Sequence, residues 1–291
     1  MLFSFLLLLT QIVADYTPQD YCNLPCYIGN KSIPNAICKN KCKQNDSCKN
    51  TNFGELQFSN SDRYYILTWH NLYRHRYAIG KENNITVANM MVLSYDQELE
   101  NIAMCLAKKC NEEVDFCKRS FKFGNIGQNE FQLIHITKSE LDNKLLIQMG
   151  IQFWFDEYKH LRDGVKKVFD EKKMFAKSFS QMIWAKTRYV GCGGVHYEVD
   201  KKVFYKLICN YGQEGNLNGK EIYLEGNPGS RCPKGFKRNL VLNGLCGTNL
   251  KSGSYEFVDE YKEFVKIRAN SPKNHGYKTL FVLIYFIIRC I

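Results

Sequence analysis

Several motifs that mark catalytic or metal-binding proteins are missing from this chain of 291 residues. No two of its 13 cysteines have the C-x-x-C spacing of a zinc knuckle. There is no G-x-S-x-G element of the kind that positions a hydrolase serine. The formal net charge is +11, but no basic stretch is interleaved with stacking aromatic residues. These absences disfavour a zinc ribbon, a serine hydrolase of that type and a nucleic-acid-binding protein.

Neither end of the chain carries an apolar run long enough to cross a bilayer, which takes about twenty residues. At the N-terminus, the run from Leu2 to Val13 is followed by the small residue Ala14, which predicts a cleaved signal peptide over residues 1–14. We therefore expect a secreted, extracellular protein whose cysteines form disulfides. Candidate glycosylation sites agree with export and lie at Asn30, Asn45 and Asn84.

The C-terminal residues 271–291 form a second apolar segment. Its apolar run covers the ten residues from Thr279 to Ile288. The small residues Ala269-Asn270-Ser271 and a short polar spacer precede it. This arrangement resembles a GPI-attachment signal, which would give the protein a membrane contact through a C-terminal lipid anchor. Removal of the signal would also remove Cys290 and leave twelve cysteines. The competing interpretation is a packed or amphipathic extension of a soluble protein.

Between the two ends, the pattern predicts a cysteine-rich segment over 15–60, a main domain over 61–219 and a bridged extension over 220–248. A charged, helix-prone stretch follows at 249–270. Within the main domain, Ile66, Trp69, Tyr73 and Tyr77 recur at helical spacing after Asp62. These residues predict the first long helix.

Further elements follow from local signals. Ser94-x-x-Gln97 matches a capping box for a second helix, and a third helix is predicted to begin near Ser139. A short fourth helix is predicted over 179–186. Two strand-like runs flank Asp200-Lys201 and predict an antiparallel hairpin.

Long segments of the chain resemble a known family. They are YCNLPC, HNLYRHR, LSYDQELENIA, FKFGNIGQN, FWFDE, FSQMIWAKTRYVGCG and LICNYGQEGN. In this order they are similar to insect antigen 5-like venom allergen proteins of the CAP superfamily, over Tyr21 to Gly247. The resemblance implies an α+β fold: a three-layer α-β-α sandwich with a disulfide-rich N-terminal segment and a short cysteine-bridged extension.

The resemblance also implies a set of disulfides. The implied pairs are Cys22 with Cys38, Cys26 with Cys117, Cys48 with Cys110, and Cys192 with Cys209. Proximity adds Cys232 with Cys246, and Cys42 and Cys105 remain for a further bridge. Sequence alone does not fix connectivity, and Cys42 is able to exchange roles with Cys48.

Many CAP proteins carry two histidines and two glutamates in a surface cleft that holds a divalent metal. The positions that match here are Val114, Gln128, Glu157 and Ser178, so only one of the four groups is present. Valine does not bind metal, and a neutral amide offers no charge. We therefore predict no metal, no cofactor and no enzymatic activity. Glu157 is interpreted as a hydrogen-bonding partner at a helix end or as a solvated carboxylate.

The other histidines suggest no site either. His70 is interpreted as packed or hydrogen-bonded, and His75 as solvent-facing because Arg74 and Arg76 flank it. The leading functional hypothesis is a non-enzymatic protein of an exocrine secretion, such as venom or saliva, that binds a small hydrophobic ligand. The residues considered for an apolar groove are Tyr64, Tyr65, Ile66, Tyr73, Phe153, Phe155 and Phe179, and assignment to the core fits most of them better. The alternatives are a toxin-like protein that docks an extracellular receptor through surface loops and a divergent metal-dependent hydrolase.

Overall fold

The computed structural model of this chain describes residues 16–48, 52–82, 84–110, 117–135, 141–161 and 167–247. The predicted signal peptide, Val114, Cys290 and the segments predicted over 249–270 and 271–291 lie outside these ranges. In chain order the helices are α1 (Ala36–Asn40), α2 (Asn60–Ala78), α3 (Gln97–Ala107), α4 (Asn143–Asp156) and α5 (Lys177–Met182). The strands are β1 (Cys26–Ile28), β2 (Lys31–Ile33), β3 (Gly54–Glu55), β4 (Ser94–Tyr95), β5 (Arg119–Ser120), β6 (Gly124–Asn125), β7 (Gly127–His135), β8 (Tyr189–Val199) and β9 (Lys202–Gly212). Short 3-10 helices cover Asp20–Asn23, Asp46–Cys48 and Glu157–His160.

A five-stranded sheet forms the centre of the molecule. Its strand order is β3-β8-β9-β7, all antiparallel, and β4 pairs with β8 in parallel. The predicted hairpin is present: β8 and β9 are joined by Asp200 and Lys201, which have φ angles of 50° and 62°. Positive φ at both central residues is what a tight hairpin turn with the natural strand twist requires. β7 lies at one edge of this sheet.

Helices cover both faces of the sheet, which makes the fold a three-layer α-β-α sandwich. Along β9, alternate side chains point to opposite faces. Tyr205, Leu207 and Tyr211 belong to the core with α2, α4 and α5, whereas Ile208 belongs to the core with α1 and α3. The sandwich predicted from the family resemblance is therefore correct.

Two glycines in β8 allow α3 to lie directly on the sheet. A methyl group at Gly191 would overlap the backbone oxygen of Asp96, and one at Gly193 would overlap the backbone nitrogen of Met104. Larger residues at these positions would push α3 away from β8. Gly191 and Gly193 therefore set the spacing between α3 and the sheet.

Six disulfides cross-link the described part of the chain, and their pairs are those that the resemblance and proximity implied. They join Cys22–Cys38, Cys26–Cys117, Cys42–Cys105, Cys48–Cys110, Cys192–Cys209 and Cys232–Cys246. Three of them tie the N-terminal segment to residues 105–117. That segment also packs on α3, because Tyr21 and Ile37 are buried in the same cluster as Leu106.

The predicted helix boundaries need correction. Ser94 does not cap the second helix, because it lies in β4 and pairs with Tyr189 of β8. Asp96 is the N-cap instead, and its side chain accepts a hydrogen bond from Leu99 N at 3.1 Å. The first long helix begins at Asn60, where Ser59 forms a capping box with Asp62. The third predicted helix begins at Asn143, after its N-cap Asp142.

The end of α5 is set by a buried arginine. The predicted fourth helix runs to residue 186, but α5 ends at Met182. Arg74 of α2 is fully buried, and its guanidinium donates hydrogen bonds to the carbonyls of Met182 and Trp184 at 2.6 and 3.0 Å. Its other acceptors are the carbonyls of Met91, Ala185 and Thr187. The carbonyls after α5 therefore bond to a side chain rather than to a further helical turn.

Among the residues that the structure describes, no helix combines the length and apolar character needed to cross a membrane.

Candidate functional site

The predicted cleft residue Glu157 lies directly after α4, where it begins a 3-10 turn. Its Oε2 accepts hydrogen bonds from the backbone amides of Ser178 and Phe179 at 2.9 and 3.0 Å. These amides belong to the first turn of α5, whose own N-cap residue, Ala176, supplies no side-chain acceptor. Unpaired amides at the start of a helix need an acceptor. Of the two interpretations offered for Glu157, the structure shows the hydrogen-bonding partner at a helix end.

The environment of this carboxylate is partly apolar. Burial raises the pKa of the Glu157 carboxyl above its ordinary value, and the hydrogen bonds from Ser178 and Phe179 offset this effect only in part. Both amide bonds go to a single carboxylate oxygen, and they hold the group against α5. Glu157 thus has a defined structural partner.

A chain of buried polar groups continues from α5 into the core. The Ser178 carbonyl accepts from Asn129 Nδ2 at 3.0 Å, and the same Nδ2 reaches the hydroxyl of Tyr211 at 3.2 Å. The hydroxyl of Tyr211 lies 2.9 Å from Nε2 of His70, and Nδ1 of His70 lies 2.8 Å from the carbonyl of Ile66.

The contacts of His70 determine the tautomer of its neutral ring. Because a carbonyl only accepts, Nδ1 carries the proton and donates to Ile66, and Nε2 then accepts from the Tyr211 hydroxyl. Burial lowers the pKa of His70 to about 4, so the ring is neutral at pH 7. The interpretation of His70 as a packed, hydrogen-bonded histidine is correct, and both ring nitrogens are occupied.

Gln128 lies one residue before Asn129 in the edge strand β7, where it pairs with Asn210 of β9. Successive side chains of a strand point to opposite faces, so Gln128 and Asn129 lie on different sides of the sheet. The Oε1 atom of Gln128 is shielded from solvent and has no hydrogen-bond partner in the described parts of the chain. The structure thus brings Glu157 and Ser178 into contact and places Gln128 across the edge strand from them. Val114, the fourth position, lies outside the described residues.

The described residues contain no cluster of three or more His, Cys, Asp or Glu side chains that could hold a metal ion. Position 178 contributes a hydroxyl rather than an imidazole, and it lies beside a single carboxylate. A zinc site needs about four nitrogen, sulfur or oxygen ligands around the ion. The charged and polar groups around α5 do not fit that requirement.

The interpretation of His75 as solvent-facing is wrong. His75 is buried, and its Nδ1 accepts a hydrogen bond from the amide of Gly244 at 3.2 Å. Burial lowers the pKa of His75 to about 4, and the charge of Arg238 acts in the same direction. The flanking arginines suggested an exposed face, but the extension around Gly244 covers this side of α2.

The residues considered for an apolar groove divide between core and surface. Four of the seven are buried in the core, namely Ile66, Tyr73, Phe155 and Phe179. The three that remain half-buried are Tyr64 and Tyr65 on α2 and Phe153 on α4. Of the seven residues considered, only these three, on α2 and α4, remain accessible to a ligand.

The three candidate glycosylation asparagines differ in exposure. Asn30 is exposed between β1 and β2, and Asn84 is exposed in the connection after α2. Asn45 is half-buried, and its backbone amide donates to the carbonyl of Lys108 at 3.0 Å. Asn30 and Asn84 are thus the more accessible of the three.

Comparison with known proteins gives consistent results. The family model described as the cysteine-rich secretory protein family, CAP, matches residues 67–211. Venom allergen 5 of the scorpion Tityus serrulatus is 32% identical over 227 residues, which are 76% of this chain and 50% of the relative. Venom allergen 3 of the ant Solenopsis invicta is 30% identical over 221 residues, which are 72% of this chain and 92% of the relative. The chain spans about half the length of the two matching Tityus serrulatus proteins.

Solved structures show the same architecture. The crystal structure of Na-ASP-1 has a TM-score of 0.56 and 27% identity, and the match covers 70% of this chain and 50% of that one. The crystal structure of NaASP2 with Zn²⁺ has a TM-score of 0.52 and 25% identity, with coverage of 65% and 96%.

Proposed function

Because this chain belongs to the cysteine-rich secretory protein (CAP) family, we propose that it is a secreted, non-catalytic protein that binds a small apolar molecule such as a lipid or sterol. Secretion is supported by six disulfides, which form in oxidising compartments. The names of its relatives as venom proteins support an exocrine secretion as the setting.

The hydrogen bonds of Glu157 support a role without catalysis. A general base must reach the proton that it removes, and a metal ligand needs a free lone pair aimed at the ion. One oxygen of the Glu157 carboxylate caps α5, position 178 offers no imidazole beside it, and both nitrogens of the buried His70 are occupied. The groups nearest to Ser178 therefore hold the fold together.

The observation that carries the ligand proposal is a row of apolar side chains on α4 that the core covers only in part. Leu145, Met149 and Phe153 recur every fourth residue, and Leu145 is 47% exposed while the other two are half-buried. At this spacing they lie along one face of the helix. We call them the α4 strip. Phe153 packs on Phe131 of β7 at 5.4 Å between ring centroids, so this end of the strip is in contact with the sheet.

A second helix borders this surface. Tyr65 of α2 is half-buried, and its hydroxyl donates to Gln148 Oε1 on α4 at 3.2 Å. An acyl chain or sterol placed along the α4 strip would remove apolar area from water at roughly 25 cal/mol per Å².

The experiment is native mass spectrometry of the secreted protein before and after organic extraction, followed by titration with the fluorescent fatty acid cis-parinaric acid. We expect an apolar molecule to co-purify, and the extracted protein to bind the probe saturably. Phe153→Gln should weaken probe binding, whereas the matched control Leu217→Gln, at an exposed apolar residue outside the strip, should not. A bare protein that fails to bind the probe would contradict the proposal and favour docking to a receptor.

A further inference from the structure

The loop closed by the Cys232–Cys246 disulfide carries charge of one sign only. Four cationic side chains are exposed there: Arg231, Lys234, Lys237 and Arg238. From residue 226 to residue 247 the sequence contains no Asp or Glu. Within the described ranges, none of these four cations forms an ion pair with a carboxylate. We call residues 231–247 the cationic loop.

An apolar side chain projects from the same loop. Leu240 is 97% exposed, more than any other large hydrophobic residue in the described parts of the chain. Its neighbours Leu242 and Leu245 are buried in the main core. The loop therefore places its other leucines inside the protein and directs Leu240 alone into solvent.

The outward position of Leu240 is built into the backbone. The buried side chain of Asn239 accepts hydrogen bonds from the amides of Val241 and Leu242 at 2.9 and 2.8 Å. Its Nδ2 donates to the carbonyl of Gly247 at 3.1 Å. These three bonds fix the turn that carries Leu240, so little conformational entropy remains to be lost when the turn meets a partner.

The base of the loop is attached to the rest of the molecule. Cys246 N donates to the Met90 carbonyl at 2.7 Å, and Val92 N donates to the Cys246 carbonyl at 2.9 Å. The guanidinium of Arg188 lies 4.5 Å from the ring centroid of Phe236 and adds a fifth cation beside the loop. The cationic side chains and Leu240 thus lie on one loop whose base is hydrogen-bonded to residues 90–92.

These features are complementary to one kind of partner. Cations without carboxylate partners favour an anionic surface, and an isolated exposed leucine favours an apolar layer just beneath it. A sulfated polysaccharide would match the cations and leave Leu240 in water. We propose that the cationic loop docks this protein on anionic phospholipid membranes, with the cations at the head groups and Leu240 inserted among the upper acyl chains.

The test uses the full secreted chain and sedimentation with vesicles of phosphatidylcholine, either pure or with about 30% phosphatidylserine. We expect binding that depends on phosphatidylserine and is lost at high salt, because salt screens exposed charges. Each lysine near an anionic surface contributes about 1 kcal/mol, which is roughly fivefold in affinity. Lys234→Glu with Lys237→Glu should therefore weaken binding at least 25-fold by that estimate. Leu240→Ser should weaken it about tenfold, from the loss of buried apolar area.

The matched control is Phe175→Ser. Phe175 is 87% exposed in the connection before α5 and has a lysine two residues away on either side. It should leave vesicle binding unchanged, and circular dichroism should show the fold intact in all variants. The proposal is overturned if Leu240→Ser binds like the parent protein, or if Phe175→Ser loses as much affinity. Binding to heparin beads in place of vesicles, unaffected by Leu240→Ser, would likewise overturn it and indicate a polyanion as the partner.

Discussion

The carboxylate of Glu157 lies 2.9 Å from the backbone nitrogen of Ser178. These are the two positions at which the family resemblance implies a glutamate beside a histidine, and here the second is a serine. The carboxylate bonds to the backbone at position 178 whatever side chain stands there. The hydrogen bond from the backbone at position 178 to the glutamate is therefore present, whereas the imidazole that the resemblance implies at this position is absent.

Metal content follows from this pair. We expect the purified protein to contain no stoichiometric zinc by elemental analysis, because Val114, Gln128 and Ser178 replace three of the four groups. Because position 128 lies across the edge strand from positions 157 and 178, the triple change Val114→His, Gln128→Glu and Ser178→His should still give little zinc binding. About one zinc per chain in the parent protein would contradict the first expectation. Chelator-sensitive zinc in the triple variant would contradict the second and show that position 128 reaches the same cleft.

The Glu157 cap should be measurable in stability. Glu157→Ala leaves the amides of Ser178 and Phe179 without their acceptor, and we expect a loss of about 1–2 kcal/mol in the free energy of unfolding. Glu157→Gln keeps an oxygen acceptor and should lose less. Urea denaturation at pH 7 gives both values, and equal stability of Glu157→Ala and the parent would refute the cap.

The raised pKa of Glu157 predicts a pH dependence with a definite sign. In the unfolded chain a glutamate titrates near 4.3, and the folded protein holds its proton to higher pH. The folded state then binds more protons, so the contribution of Glu157 to stability falls as pH rises through this interval. The stability difference between the parent and Glu157→Gln should shift in favour of the Gln variant as pH rises above about 4. A difference that stays constant from pH 4 to 7 would count against the burial of this carboxyl.

The two buried histidines should act in the opposite direction. Their pKa values are lowered to about 4, whereas an unfolded histidine titrates near 6.5. The unfolded state therefore binds more protons between these values, and stability should fall as pH drops from about 6.5 to about 4, by roughly 3 kcal/mol per histidine. His75→Gln, which keeps an acceptor for Gly244 N, should remove part of this loss. An unchanged pH profile for that variant would contradict the assignment.

Arg74 provides a strong test of the core. Replacing it by Met leaves the buried carbonyls around Met91 and Met182 without donors, and we expect a loss of roughly 3–5 kcal/mol. Arg76→Met is the matched control: Arg76 is on the same helix, is partly exposed and pairs with Glu82 at 2.6 Å. Its loss should be about 1 kcal/mol or less. Similar losses for the two variants, measured by denaturation, would argue against the role assigned to Arg74.

Much of the fold was accessible from the sequence because its signals are local. The hairpin at Asp200-Lys201 and the apolar spacing of Ile66, Trp69, Tyr73 and Tyr77 both lie within short windows, and both predicted elements are present. The disulfide pairs were accessible in another way. Local spacing did not determine them, and the family resemblance supplied most of them.

The errors share a physical cause, which is a partner that lies far away in the sequence. Ser94 pairs with β8 instead of capping a helix. Arg74 binds the carbonyls at the end of α5, and the segment around Gly244 covers the face of α2 on which His75 lies. The polar chain through Asn129 and Tyr211 was missed for the same reason. Asn129 and Tyr211 are 82 residues apart. The only sequence signal for them was that they lie in FKFGNIGQN and LICNYGQEGN, two of the segments that carry the family resemblance.

The close contact between α3 and the glycines of β8 also bears on how the protein acquires its cross-links. The bridges Cys22–Cys38, Cys192–Cys209 and Cys232–Cys246 join cysteines only 16, 17 and 14 residues apart. The other three span 91, 63 and 62 residues and all end between Cys105 and Cys117, within or just after α3. Closing a long loop costs more entropy than closing a short one. During oxidative folding, the short-range bridges should therefore form first, and the long-range set should follow only once α3 has settled against Gly191 and Gly193. A side chain at either glycine would then interfere with cross-linking and leave chains partly oxidised.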